Sequence, residues 1–322
     1  MEKALIYSYL LDGKGGGKSM TAEEITQWQP SDGLLWVHLD YSVEGAPEWI
    51  FAQKDLPNVC AQALLHEETR PRATLVGSGI LMSLRGVNLN PSADPEDMVS
   101  IRVYADKNRI ISTRHRRLLT VADIVTSLDE NRGPKDSGEF IQALVRGLTL
   151  RMETTIDMLE ERTDDLEDTV IAGGKNGLRS ELSAVRRAAI MLRRYLAPQR
   201  EALSRLCGEQ APWLTETHRI GLRETSDHLL RLLENLDSAR DRAAVVQEEL
   251  VNHMSEQMNQ RMYVLSLVAA IFLPLGFLTG LLGINVGGIP GAENNQAFFW
   301  FIAILCSLTA LQVVVFKRFK WM

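Results

Sequence analysis

Between Tyr263 and Phe316, a run of 54 residues carries one charged side chain, Glu293, and Lys317, Arg318 and Lys320 come just after it. Those four are the only charges beyond residue 262 in a chain of 35 basic and 41 acidic residues. A purely soluble protein is excluded, because nothing else in the sequence is apolar enough to surround so much uncharged surface. Two unbroken segments lie inside the run: Tyr263–Gly283, of 21 residues, and Ala297–Phe316, of 20. At about 1.5 Å per helical residue each reaches roughly 30 Å, the thickness of a bilayer's hydrocarbon core. The whole-chain averages, 45% hydrophobic and a mean hydropathy of −0.07, hide these spans by diluting them with a highly charged aqueous part.

Charge around the spans predicts their orientation. Arg261 precedes the first, and the basic tail follows the second, so both termini are expected on the cytoplasmic side of the inner (cytoplasmic) membrane. Met1-Glu2-Lys3 leads into a short strand-like run without the apolar segment or cleavage site of a signal peptide, consistent with residues 1–262 staying on the side of synthesis. Cys60, Cys207 and Cys306 form no CxxC pair and no disulfide framework, which fits a reducing compartment.

The fold expected is an α+β cytoplasmic domain with long helices that lead through a stalk helix into two C-terminal transmembrane helices. In 1–133, β-branched-rich runs predict strands at Ala4–Leu11, Leu34–Asp40, Thr74–Val76, Gly79–Arg85, Met98–Ala105 and Arg109–Thr113, with helices at Ala61–Glu68 and Leu118–Leu128. Residues 134–262 read as long helices: Glu139–Ile171, Ser180–Cys207, and a stalk that starts near Pro212 and continues through the first span, 263–283. An outer loop, 284–296, the second span, 297–316, and the tail, 317–322, complete the chain. Acids crowd the first long helix (Glu153, Asp157, Glu160, Asp164, Glu167) and arginines the second (Arg186, Arg187, Arg193, Arg194). The two are therefore expected to attract as antiparallel neighbours, while an acidic face could also gather cations.

Catalytic motifs are lacking. Asp12-Gly-Lys-Gly-Gly-Gly-Lys-Ser19 follows a strand and precedes a helix start at Thr21, but Asp12 stands where a phosphate loop needs its first glycine, so no nucleotide site is expected. The six histidines make no HExxH or Cys/His pairing. His38 reads as a satisfied strand residue; His218, His228 and His253 are expected on solvated stalk positions. The net charge of −6 and the scarcity of aromatics on the basic helix argue against nucleic acid. Neither an enzyme nor a resident cofactor is expected, and metal ligands in the cytoplasmic domain are not assigned.

Two spans cannot enclose an aqueous path, so transport through this chain requires a homo-oligomer. At seven-residue spacing the stalk and first span read Asn252, Asn259, Ser266, Leu273, Gly280, with a companion row of Ser255, Met262, Ala269, Gly276, Gly283. Such small or polar faces suit helices around water, and equally helices packed closely through small residues. Pro274 frees the Ala270 carbonyl, and Leu273 is a candidate constriction that gates by dewetting.

The stretch Gly283-Ile284-Asn285-Val-Gly-Gly-Ile-Pro290-Gly-Ala-Glu293 closely resembles the Gly-Met-Asn signature loop of the CorA family of divalent-cation transporters. With Ile284 in place of the usual methionine it looks like the ZntB zinc-transporter branch, as do Glu67-Glu68-Thr69-Arg70-Pro71-Arg72 and Leu196-Ala-Pro-Gln-Arg200. The resemblance covers the whole chain. It implies a homopentamer with a funnel-shaped cytoplasmic domain, a pore lined by the first span, and an outer mouth of Gly283, Ile284 and Asn285. Asn285 can accept hydrogen bonds from metal-bound water without stripping it, and a ring of Glu293 would concentrate cations. Because Tyr263–Gly283 has no His, Cys, Asp or Glu, the residues favour a hydrated divalent cation, and zinc as the transported substrate follows from the resemblance alone. A non-conducting membrane-anchored metal sensor and a magnesium or cobalt transporter of the same family are the alternatives.

Overall fold

The computed structural model describes residues 1–67, 70–174, 177–208, 211–283, 291 and 294–319. It divides into two compact units, Met1–Gln247 and Glu248–Met322.

The first unit is built on a seven-stranded sheet. Its strands are β1 (Leu5–Leu11), β2 (Gly17–Ser19), β3 (Leu34–Asp40), β4 (Arg72–Val76), β5 (Gly79–Gly86), β6 (Val99–Ala105) and β7 (Arg109–Arg114), in the spatial order β2-β1-β3-β7-β6-β5-β4. Every pairing is antiparallel except β3 with β7, where Trp36 stands opposite Ile110 and His38 opposite Ser112. A parallel pair needs a crossover, here everything between residues 41 and 108. Helices cover both faces, which is why β3 and β5 are buried along almost their whole length instead of alternating. The short helices α1 (Ala22–Gln27), α2 (Ala46–Phe51) and α3 (Asn58–Leu65) lie over one face, packing Ile25, Ile50, Cys60 and Leu64 against Leu35, Val37 and Leu39. On the other face Trp36, Met82, Ile101 and Val103 meet α4 (Leu119–Asp129) and the long helices α5 (Ser137–Ile171), α6 (Leu178–Gly208) and the first part of α7 (Glu216–Gly283).

Local chemistry sets the element ends. α5 starts at Ser137, two residues before the expected Glu139, because Asp136 caps it by accepting from the Glu139 amide. α7 starts at Glu216, past Pro212, because the Thr215 hydroxyl accepts from the His218 amide. α3 stops at Leu65 instead of Glu68: the Glu67 carbonyl is taken by Arg102 on β6, 2.6 Å away, beyond the helix end. Glu68 and Thr69 lie outside the described residues. Asp12-to-Ser19 is a β1–β2 hairpin in which the Asp12 carboxylate accepts from the Lys14 and Gly16 amides, so the loop's N–H groups are turned onto their own chain. These bonds hold the Asp12 carboxyl below its ordinary range.

α5 and α6 pack as the expected neighbours, but most of their charged side chains turn to α7. α5 meets α7 in a parallel register of constant offset: Glu153 with His228 at 3.0 Å, Glu160 with Asn235 at 3.3 Å, and Glu167 with Arg242 at 2.6 Å, each pair 75 residues apart. The α6 arginines also turn to α7, Arg193 to Asp237 at 2.7 Å and Arg186 to Gln247 at 2.9 Å. Across α5 and α6 the ion pair has its signs reversed, Arg162 with Glu181. The expectation of neighbouring α5 and α6 holds, while α7 supplies the charged partners of each. His218 is likewise buried, not solvated: its Nδ1 accepts from the Thr215 amide, and its Nε2 lies 3.4 Å from Asp136.

In the second unit, α7 continues from Glu248 to Gly283, and α8 (Ala297–Arg318) follows. Among the described residues they are the two helices long and apolar enough to cross a membrane.

Candidate functional site

The residues expected to line a pore all sit on α7. Asn252, Asn259, Met262, Ser266, Ala269, Leu273, Gly276, Gly280 and Gly283 are exposed, Leu273 to 72%. The half-buried positions of the same segment are Leu267, Ile271, Pro274, Leu275 and Leu278. At 3.6 residues per turn these two sets point roughly 150° apart around the helix. α8 shows a matching half-buried face of Phe301, Leu305, Leu308, Gln312, Val313 and Phe316. One direct bond ties the two helices: the Gln312 side-chain amide donates to the Ala270 carbonyl at 3.3 Å.

The geometry narrows what periodicity left open. A Cβ added at Gly276, Gly280 or Gly283 would meet nothing within 4 Å. The small residues therefore do not serve to bring α8 close. They leave a face of small and polar groups that α8 does not cover. The Thr279 hydroxyl is turned back onto the Leu275 and Gly276 carbonyls, both at 3.0 Å, which removes its donor from that surface. Of the expected mouth, Gly283 closes α7, whereas Ile284, Asn285 and Glu293 lie outside the described residues.

Elsewhere the charges are spent on structure. No group of three His, Cys, Asp or Glu side chains is placed to hold a metal among the described residues. A polar cleft of about 790 Å³ is lined by Asp123, Glu139 and Glu224 but also by Arg132, Arg146 and Arg231, so it carries no excess of negative charge. On α5, Glu160 is held above the ordinary carboxylate range by burial first and by Asp157 and Asp164 second. The sequence missed Gln312; its signal was the lone long polar side chain in an otherwise apolar span.

Fold and spans together define a membrane protein whose large aqueous domain continues into two C-terminal helices, one of which keeps a polar face free. The family model for the CorA-like Mg2+ transporter protein matches residues 31–318. The chain belongs to that family. It is 39% identical over 317 residues to the zinc transport protein ZntB of Pectobacterium atrosepticum, covering 98% of this chain and 96% of that one. To the divalent cation transporter CmaX of Pseudomonas aeruginosa it is 40% identical over 325 residues, covering 100% and 98%. The solved structure of full-length CmaX superposes with a TM-score of 0.88 at 38% identity, covering 100% of this chain and 99% of that one.

Proposed function

We propose that the protein carries divalent cations, zinc foremost, across the cytoplasmic membrane through a pore built by several copies around α7. The observation that carries this reading is the free face of α7, turned away from the α8-facing side, with Asn252, Asn259, Ser266, Leu273 and Gly280 in one row. A ring of such faces encloses water; a single pair of helices does not. A homopentamer with residues 1–133, 134–262 and 317–322 in the cytoplasm, spans at 263–283 and 297–316, and 284–296 outside fits the charge distribution. Gly283, Ile284 and Asn285 then form the outer mouth, where Asn285 holds the ion through its bound water, and Glu293 raises the local cation concentration. The first span has no His, Cys, Asp or Glu to bind zinc directly, so the ion passes hydrated, and cobalt, nickel and cadmium should pass as well. Zinc as the principal cargo draws its support from the zinc transport protein relatives.

Zinc uptake into proteoliposomes by the wild type and by Asn285→Ala tests this. The expected result is uptake by the wild type and a marked loss in the variant. Unchanged uptake in Asn285→Ala removes the assigned mouth. No uptake of any metal by the wild-type oligomer overturns transport and favours a sensor. Running zinc against magnesium, with and without a pH gradient, settles selectivity and proton coupling.

A further inference from the structure

Pro274 has no N–H, so the carbonyl four residues earlier, Ala270, loses its helical donor in the middle of a bilayer span. In lipid no water is at hand to replace it. The structure supplies the substitute from the other helix: Gln312 of α8 donates its amide Nε2–H to Ala270 O at 3.3 Å. A carbonyl oxygen only accepts, so the nitrogen end of the amide is the one that must face it.

We propose that Gln312 is a positioning residue for conduction, standing in for the missing Pro274 N–H and holding α8 to α7 at the turn that carries Leu273. The inference rests on the pore reading above. Three features support it beyond the contact itself. Gln312 is the one amide side chain within α8, an expensive residue in a span whose other polar groups are small; Thr309, one turn away, spends its hydroxyl on the Leu305 carbonyl at 2.9 Å. The Gln312 Oε1 is buried with no hydrogen-bond partner among the described residues, so the side chain is not there to complete a polar network, and its N–H end is what gives the position its use. Leu273 precedes Pro274 directly and projects away from α8, exposed to 72%. A helix hinges where a carbonyl is released. Tying that carbonyl to α8 holds Leu273 at one distance from the helix behind it, and in an oligomer that distance fixes the width of the leucine ring.

A double-mutant cycle on the full-length protein tests the proposal. Gln312→Met keeps the length of the side chain and removes the donor. Pro274→Ala restores an N–H at 274, which pairs with Ala270 O within the helix and makes the Gln312 bond redundant. In proteoliposomes Gln312→Met should lower maximal zinc flux by about threefold, and up to about twentyfold, the range of interhelical hydrogen bonds in membranes. The half-saturating zinc concentration should stay unchanged, because the mouth is untouched. In the Pro274→Ala background the same substitution should leave flux unaltered. An equal effect in both backgrounds overturns the proposal, as does a change in half-saturation without one in maximal flux. Should Gln312→Met fail to assemble, recovery of the oligomer with Pro274→Ala supports the bond, and failure in both backgrounds refutes it. If the wild type carries no metal, the pore reading falls, and the same cycle read by melting temperature decides whether the bond exists.

Discussion

His38 makes the cytoplasmic unit sensitive to acid in a calculable way. It lies in the middle of β3, fully buried, with its ring stacked on Tyr7. The Ser112 hydroxyl accepts from Trp36 Nε1 at 2.9 Å, donates to the Val37 carbonyl at 3.4 Å and lies 2.8 Å from His38 Nδ1. The other ring nitrogen, Nε2, is buried with no hydrogen-bond partner among the described residues. Burial first, and the Arg114 charge second, push the imidazole from 6.5 down to about 3, against a smaller opposing effect of a hydrogen bond to Ser112. Above pH 6.5 neither the folded nor the unfolded chain protonates this ring. Between 6.5 and 3 only the unfolded chain does, so stability rises with pH in that window and is lost on acidification, by about 1.4 kcal/mol for every pH unit below 6.5. At pH 5 the loss is about 2 kcal/mol, or about 4–8 °C in melting temperature for a unit of this size. Thermal melts of the intact detergent-solubilised protein at pH 5, 6 and 7, followed by intrinsic fluorescence, should show that slope in the wild type. His38→Gln, although less stable at pH 7, should show a slope shallower by that amount. Parallel slopes for the two proteins would falsify the assignment of acid sensitivity to His38.

Two further outcomes follow from packing and from the free α7 face. Gly138→Ala should lower the melting temperature although alanine favours helix: the new Cβ would fall 2.0 Å from His218 Nδ1, in a ring pinned between Thr215 and Asp136. The gain of about 1 kcal/mol in propensity is outweighed by about 1–3 kcal/mol of overpacking, and a stabilised variant would show that His218 can move aside. Leu273→Ser should raise zinc flux severalfold by wetting an apolar ring, and a fall in flux with the oligomer intact would place the constriction elsewhere.

The parts of this fold that were legible in the sequence are those where a single segment answers to a single solvent. The spans were plain because a bilayer demands about 20 uncharged residues in succession, and β3 and β5 because strands covered on both faces read as unbroken apolar runs. β2 was missed because Gly17-Lys18-Ser19 has no apolar residue to announce it, and the strand exists through its pairing with Tyr9, Leu10 and Leu11. α2 was hidden by Gly45 in the left-handed conformation and by Pro47 in its first turn, both of which read as breakers until the turn is seen to cap the helix. Charge patterning along the long helices brought α5 and α6 together, as found, but did not show that α7 would take their charged partners. The heptad offset of Glu153, Glu160 and Glu167 against His228, Asn235 and Arg242 becomes visible only once α6 has reversed the chain and brought α7 parallel to α5.

The candidate site failed to be legible for a different reason. A row of small and polar residues every seven positions is the same string of letters whether it packs against a neighbour or faces water, because periodicity reports that a face is distinct and not what it meets. What separates the two is where the other helix goes, and α8 goes to the face of Leu267, Ile271, Leu275 and Leu278. That choice is fixed by residues outside the row. Pro274 opens a carbonyl on one side of α7, and Gln312, 42 residues from Ala270, is the side chain that closes it. Seen separately, a proline in a span reads as a kink and a glutamine in a span as an oddity. Together they tie α8 to one side of α7, and Ser266, Leu273 and Gly280 stay exposed on another, the face that the proposed pore would use.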